Sequence, residues 1–562
     1  MRKVSLRQIA PDWRTIVSAL LIVLSFPPFD LYFLIWFALV PWFFVLHGAS
    51  TPRRALVQGL WLSFLMTLGG FSWVAFVLHQ FAGLPWAVAI IGLLLFGLIC
   101  QPQFLIFAPA FTFFHKRLDA SRRTGLTMLA AGAFFALTYS GVDWILPKLF
   151  VDTLGHSFYQ AHRLRQAADI GGAHLLTFIV LLVNYAIWWL ALNFQQTRRR
   201  GVWQFGGALP PATPLLIVAA IASGSAWIYG STRYSALQGI IQNPVEKLQA
   251  AVIQGNIGDI EKLASEKGIR SAAEKVVGTL LGMSDHALST GDRKPDVVIW
   301  PETSYPSTFR TPQTPDELAR DQLVERFVQE RQIPLLFGGY DRMGGEDFNS
   351  LFFLHPQPVQ LEKGETSDQQ VYHKNILLLF GEYIPGMEHI QFLKDLFPQI
   401  GNFGRGEGPE VFNVPLAPTP EHPDRTDRVL KTGPIICYEA LFPNYVIDAA
   451  RMGSQMILNI TNDSWFGPYQ EPQLHLSLVI FRSIETRLPQ LRSTNTGISA
   501  LILPDGTISH QTRIGEPEIM NVSVPLIAPV STLMLKWGDW FGPHALALGL
   551  LGSAFLLWRR KE

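Results

Sequence analysis

A chain of 562 residues with 49% apolar and only 16% charged side chains carries too few charges for a soluble protein of its size, which predicts membrane spans. A formal net charge of +1 excludes the broad positive field of a nucleic-acid binder. The 2 cysteines, Cys100 in an apolar run and Cys437 in a polar segment, exclude a disulfide framework.

In chain order, apolar runs predict helices at about 13–28, 31–47, 57–79, 84–114, 124–145, 174–194 and 211–230, with an eighth at about 536–557. The first run is followed at once by a second with no small-residue cleavage site, so it reads as a retained helix. The prolines of FPPFD suit a tight re-entry between these two. Basic clusters follow a pattern: Arg2, Lys3 and Arg7; Arg53 and Arg54; His115 to Arg117 with Arg122 and Arg123; Arg198 to Arg200; and Arg559 to Lys561. If eight spans alternate, all of these fall on one side, and the positive-inside rule then puts both termini in the cytoplasm and the large polar segment outside. The basic stretch His162 to Arg165 falls outside, facing either lipid headgroups or solvent. This divides the chain into a seven-helix N-terminal membrane domain at 1–232, a polar domain at 233–530, and a C-terminal helix with a short tail at 531–562.

Within the polar domain short apolar runs alternate with charged stretches. AAVIQGN, KPDVVIWPE, IPLLFGGYDR, NSLFFLH, VYHKNILLLF, GPIICYEALFP, SQMILNITNDSWFG and NTGISALILPDG read as strands and their ends. A charged stretch after QGN and residues 316–330 read as helices, and the proline-rich 407–428 as a surface loop. The pattern predicts an α/β domain with two packed sheets and flanking helices, beside a polytopic α-helical membrane domain of about eight spans.

Three positions at the ends of apolar runs could make a base, a cation and a nucleophile. Cys437 follows PII and precedes Tyr438-Glu439, placing it at a strand-to-helix elbow; a cysteine there is a core residue unless a cation or helix terminus activates it. Lys374 lies between two apolar stretches, where a charge needs a partner, and Glu382 is eight residues on. Glu302 directly follows VVIWP, as a solvated glutamate or as a base that takes the thiol proton. The apolar loop 376–398 reads as a lid in the membrane interface or as a buried loop.

Glu302 in WPE, Lys374 and Glu382 in YHKNILLLFGEYIP, and Cys437 in ICYE, in this order, resemble the nitrilase (carbon-nitrogen hydrolase) superfamily. With the predicted spans, SFPPFD, GHSFYQAHRLRQAADIGG, a helix holding Asn184, and the later NITNDSWFG, the chain resembles the apolipoprotein N-acyltransferase family over nearly its whole length. The resemblance implies an α-β-β-α sandwich in the polar domain. It implies a general base at Glu302, an electrostatic partner at Lys374 supported by Glu382, and a nucleophile at Cys437. Tyr438 and Glu439 match residues near the acyl pocket, and Asn462, Asp463, Trp465 and Phe466 shape it. Arg482, Glu485 and Arg487 read as a structural ion-pair helix, and Asn495 to Gly497 as a turn. The implied reaction is ping-pong acyl transfer. The donor is a phospholipid (the sn-1 chain of phosphatidylethanolamine), and the acceptor is the α-amino group of a diacylglyceryl-cysteine apolipoprotein. No cofactor or metal is required, no nucleic acid is bound, and the protein is expected to be a monomer in the bacterial inner membrane with its catalytic domain in the periplasm. A membrane-tethered amidase acting on a soluble amide is the alternative. The chain departs from the family after Gln254-Gly255-Asn256, where members often carry a tryptophan and none occurs here.

Overall fold

The computed structural model describes residues 9–80, 83–117, 125–200, 213–258, 269–290, 293–360, 366–379, 381–383, 403–416 and 429–558. The basic positions 2, 3, 7, 122, 123 and 559–561 and the side chains of 199 and 200 lie outside this set. So do 259–268 after the QGN motif, 384–398 of the apolar loop, and 417–428 of the proline-rich loop. Two compact units emerge: Met1–His79 with Leu84–Ser235 and Asp539–Glu562, and Gln80–Gly83 with Ala236–Gly538.

The first unit is helical because its apolar stretches can satisfy their backbone only internally in lipid. Five helices are long and apolar enough to span: Trp86–His115, Gly125–Ile145, Leu164–Arg198, Thr213–Gln242 and Phe541–Trp558. Pro52–Gly70 and Trp73–Gln80, bent by 66°, make a sixth if they form one span. The runs expected at about 13–28 and 31–47 give only shorter helices, Trp13–Leu24 and Tyr32–Gly48. The second of these is broken: a 3-10 turn at Tyr32–Trp36 gives way to an α-helix at Val40–Gly48. Asn184 repairs the break, donating from Nδ2 to the Ile35 carbonyl at 2.8 Å and accepting at Oδ1 from the Leu39 N–H at 2.8 Å. A buried aromatic cluster packs the helices, with Phe43 stacked on Phe111 at 5.3 Å and Trp188 edge-on to both. Inside the same unit a buried Lys148–Asp143 ion pair closes at 2.8 Å, and Asp152 accepts from Gln101.

The second unit holds two six-stranded sheets. The strands are β1 Glu246–Gln254, β2 Val297–Ile299, β3 Leu335–Met343, β4 Glu346–Gln360, β5 Thr366–His373, β6 Phe412–Pro415, β7 Val429–Ile436, β8 Met456–Thr461, β9 Gln490–Thr494, β10 Ala500–Ile502, β11 Ile508–Gln511 and β12 Glu518–Leu526. One sheet runs β12-β1-β2-β3-β4-β5, the other β11-β10-β9-β8-β7-β6. Each has three parallel strands, β1-β2-β3 and β7-β8-β9, flanked by antiparallel ones. Parallel neighbours need crossovers, and helices Arg270–Ser289, Pro315–Arg331, Pro443–Arg451 and Glu471–Thr486 supply them. Thr314 caps the second of these by accepting from the Glu317 N–H.

Gln254 ties the two sheets together. Its Oε1 accepts from Thr494, Ser499 and Thr512 hydroxyls at 3.1, 2.8 and 2.6 Å, and its Nε2 donates to the Arg513 carbonyl. Two expectations are corrected here. Residues 412–415 of the proline-rich stretch form β6, because Phe412 and Val414 are buried against β7. ILLL at 376–379 does not continue as a strand: the Asn375 and Ile376 N–H groups donate to Glu439 and the Leu378 N–H to Glu382, so carboxylates take donors a neighbouring strand would have used.

Candidate active site

Glu302, Lys374 and Cys437 each sit just beyond the end of a strand, β2, β5 and β7, and the fold brings all three to one cavity of about 400 Å³. Carboxyl ends of strands are where open α/β sheets place their ligands.

Each side chain is seated by local chemistry. The Glu302 turn lies against β3 at Gly338, whose N–H donates to the Pro301 carbonyl at 3.1 Å. A Cβ there would stand 2.6 Å from the Glu302 Cα, so only glycine admits this approach. Lys374 leaves β5 with its N–H bonded to the Asn349 carbonyl. Its ammonium donates to Glu382 Oε1 at 2.8 Å and to Glu302 Oε1 at 3.2 Å, while Asn349 Nδ2 donates to the same two oxygens at 2.7 and 2.8 Å. Cys437 stands between β7 and a 3-10 turn, at φ +49°. That left-handed conformation costs a non-glycine residue about 1–3 kcal/mol and marks sites where the surroundings over-determine the backbone. Glu439 is the determinant: its buried carboxylate accepts from the N–H groups of Ile436, Asn375 and Ile376 and from the Tyr372 hydroxyl, itself bonded to Tyr445. One side chain thus links the cysteine turn to the lysine loop.

The electrostatics differ from the simple expectation of a lysine-activated thiolate. Burial, and then the charge of Glu302, push the Cys437 thiol well above its ordinary range, with Lys374 opposing both. Burial works against the Lys374 charge, but Glu302 and Glu382 outweigh it and raise the ammonium well above its ordinary value. The cation is engaged by two carboxylates, and the surroundings disfavour the thiolate form of Cys437.

Asn462, Trp465 and Phe466 also line the cavity, whereas Tyr438, Glu439 and Asp463 do not. Tyr438 packs edge-on to Phe442 at 5.1 Å. Asp463 belongs to a buried charge network behind the wall, with Arg492 Nη2 at 3.0 Å and His475 Nδ1 at 3.4 Å. Asp463, Glu471 and His475 offer ligand atoms within 4.8 Å of one another, but the Arg492 guanidinium already supplies the positive charge there, bonding Asp463 and Asn459. A divalent cation would have to displace it. Burial raises the Asp463 carboxyl, yet Arg492 and His475 prevail and hold it down at about 2. Burial and the Asp463 charge push Glu471 up to about 7. Arg482 pairs with Glu485 at 2.9 Å, and Arg487 donates to the Pro504 carbonyl, both buried and remote from the cavity lining. Asn495 bonds Ile257 in both directions, at 3.0 Å each.

Asn349, Tyr372, Tyr445 and Arg492 were not singled out from the sequence. Tyr372 stands in the same YHK triplet as Lys374, and Asn349 opens the β4 run NSLFFLH, so both were within reach of a motif reading.

The chain is similar to known proteins over most of its length. Residues 18–186 match the apolipoprotein N-acyltransferase N-terminal domain and residues 249–527 the carbon-nitrogen hydrolase domain. An apolipoprotein N-acyltransferase of Bdellovibrio bacteriovorus is 31% identical, over 94% of this chain and 91% of the relative. One of Geobacter metallireducens is 26% identical, over 97% and 95%. The solved structure of an amidase from Nesterenkonia sp. covers 50% of this chain and 90% of its own at 16% identity, with a TM-score of 0.31. Both domain families in this order, and a relative at 31% identity along nearly the whole chain, establish that it belongs to the apolipoprotein N-acyltransferase family.

Proposed function

We propose that this membrane-bound acyltransferase moves an acyl chain from a phospholipid to the N-terminal amine of an apolipoprotein through a thioester on Cys437. The supporting observation is the single cavity that holds Glu302, Lys374 and Cys437 with the Lys374 ammonium between two carboxylates. The sn-1 ester of phosphatidylethanolamine is the donor. Glu302 takes the thiol proton as Sγ attacks the ester carbonyl, and the Lys374 ammonium stabilises the oxyanion that forms. The intermediate collapses with cleavage of the ester C–O bond, and the proton on Glu302 passes to the departing lysophospholipid oxygen. The α-amino group of a diacylglyceryl-cysteine then attacks the thioester, Glu302 receives its proton, and the thiolate that leaves recovers one. Glu382 and Asn349 hold Lys374 and Glu302 in place; Glu439 holds the cysteine turn; Asn462, Trp465 and Phe466 shape the acyl pocket.

In this reading the two sheets and their helices form an α-β-β-α sandwich spanning 233–530. Eight membrane segments, seven within 1–232 and one within 531–562, carry it as a monomer. Both termini face the cytoplasm and the catalytic domain the periplasm, as the basic clusters support.

Intact-mass measurement after incubation with a defined phosphatidylethanolamine tests the reaction. A gain of one acyl chain, labile to hydroxylamine and absent from Cys437→Ala, is expected. Active protein without an adduct would refute the covalent route. An adduct that decays to free fatty acid, with no transfer to a lipopeptide amine, would instead favour a hydrolase.

A further inference from the structure

Arg320 lies in the helix Pro315–Arg331, is only 8% exposed, and lines the same cavity as Glu302, Lys374 and Cys437. Among the described residues no hydrogen bond or ion pair answers its guanidinium, and its Nε is enclosed without an acceptor. Three arginines nearby are paired: Arg310 with Glu325 and Asp368, Arg331 with Asp285, and Arg342 with Asp347. The acids closest in sequence are engaged elsewhere. Asp321 accepts from the Tyr305 hydroxyl and the Arg310 N–H, and Glu317 from the Gln313 N–H. Asp321 lies near enough to feel the Arg320 charge, but no acceptor meets the guanidinium itself, and a buried guanidinium without a hydrogen-bond partner is unfavourable, so an anion entering the cavity would complete the arrangement.

We propose that Arg320 is the seat of the donor phospholipid's phosphodiester, an inference that rests on the phospholipid-donor reading above. A planar guanidinium fork matches two phosphate oxygens, which an ammonium does not. The phosphodiester is a permanent anion only a few bonds from the sn-1 ester, and a cavity of about 400 Å³ has room for that end of a lipid. The acceptor's amine is cationic in water and would be repelled, so Arg320 acts in the first half-reaction and sets which ester is attacked.

The test compares full-length wild type, Arg320→Gln and Arg320→Lys in detergent, following the acyl adduct on Cys437 by intact mass. Two donors are used: phosphatidylethanolamine, and an uncharged p-nitrophenyl ester of the same chain. Arg320→Gln should raise the half-saturating phosphatidylethanolamine concentration about tenfold or more, the scale of one lost charge-assisted pair, with Arg320→Lys between. Acylation by the nitrophenyl ester should stay within about twofold, and Arg320→Gln without lipid should melt no lower than wild type, since a buried charge without a hydrogen-bond partner is removed. An equal fall on both donors would reduce Arg320 to a structural role, and an unchanged phosphatidylethanolamine response would remove it from the site; either overturns the inference while leaving the donor reading intact. Wild type acylated by the nitrophenyl ester but never by phosphatidylethanolamine would overturn the donor reading itself, and the inference with it. Inorganic phosphate that slows nitrophenyl-ester acylation through Arg320, with no Arg320-dependent preference for the phospholipid, would make this a free-phosphate site and overturn the lipid assignment.

Discussion

Glu439 offers a direct test of how the cysteine turn is held. Its carboxylate is fully buried and receives four hydrogen bonds, from the N–H groups of Ile436 at 2.8 Å, Asn375 at 2.6 Å and Ile376 at 3.1 Å, and from Tyr372 at 2.7 Å. Truncation to alanine would leave three backbone donors without a partner and the Tyr372 hydroxyl with Tyr445 alone. At about 1–3 kcal/mol for each stranded group that approaches the whole stability of a domain, so Glu439→Ala should not accumulate as folded protein. Glu439→Gln is the informative change. Its remaining oxygen can keep the bonds from Asn375 and Ile376, and Tyr372 can turn its hydroxyl to accept, but the new amide meets the Ile436 N–H donor to donor. One bond reversed and one lost amount to roughly 2–4 kcal/mol, or a melting temperature lower by about 4–10 °C. Because Ile436 precedes Cys437, the turn should shift as well, and a displacement near 1 Å costs on the order of a hundredfold in rate. Thermal melts in detergent and single-turnover acylation followed by intact mass read both effects. Glu439→Gln that melts and acylates like wild type would refute the view that a carboxylate fixes this turn.

Three further changes probe the surrounding structure. Gly338→Ala places a methyl 2.6 Å from the Glu302 Cα and the Thr303 N, so acylation should fall by about tenfold or more while circular dichroism stays native. Arg492→Met breaks a buried ion pair, leaving the Asp463 carboxylate to His475 and Thr461 and the Asn459 oxygen without its donor, and should cost about 3–5 kcal/mol in a denaturant melt. Glu471 has a carboxyl raised from an ordinary 4.5 to about 7, so the folded chain binds more protons than the unfolded one across that window and stability falls as pH rises through it. His475, raised likewise, acts in the same sense, whereas Asp463, held at about 2, acts oppositely and only below its ordinary 3.8. A Glu471→Gln variant should lose much of the decline between pH 4.5 and 7, and a melt series that keeps the wild-type slope would contradict this.

The strands were legible where apolar residues run together and end at a turn, as β1, β3 and β8 do, because burial of such runs drives sheet formation whatever the partner. Features set by a distant side chain were not. The break before Val40 is tolerated only because Asn184, far along the chain, supplies a donor and an acceptor to the opened backbone. ILLLF has the composition of a strand, yet its flanking amides are claimed by Glu439 and Glu382. β6 is four residues within a proline-rich loop, too short for alternation to register. In the cavity the acid, the lysine and the cysteine announce themselves through their apolar flanks. Arg320 and Arg492 look in the sequence like any charged residue of a helix or strand, and only burial separates them from their neighbours.

A buried cysteine near a lysine suggests a preformed thiolate, and the charges around Cys437 argue against one. Lys374 brings one positive charge, whereas Glu302 and Glu382, both bonded to it, bring two carboxylates. Adding a thiolate would put a further negative charge beside two carboxylates that already share the Lys374 ammonium, in a low-dielectric setting where such repulsion is amplified. The surroundings therefore disfavour the thiolate, the direction in which burial and Glu302 push the thiol, and in the proposed reaction it becomes nucleophilic as its proton moves to Glu302. That transfer neutralises one carboxylate and frees part of the Lys374 charge at the moment the oxyanion forms. In the proposed reaction the cation thus serves the transition state rather than the resting thiol, so Cys437 should react slowly with alkylating reagents at neutral pH although it lines a cavity. Labelling by iodoacetamide as fast as that of an exposed thiolate would show that the proton leaves before the ester arrives, and this account of Glu302 would fail.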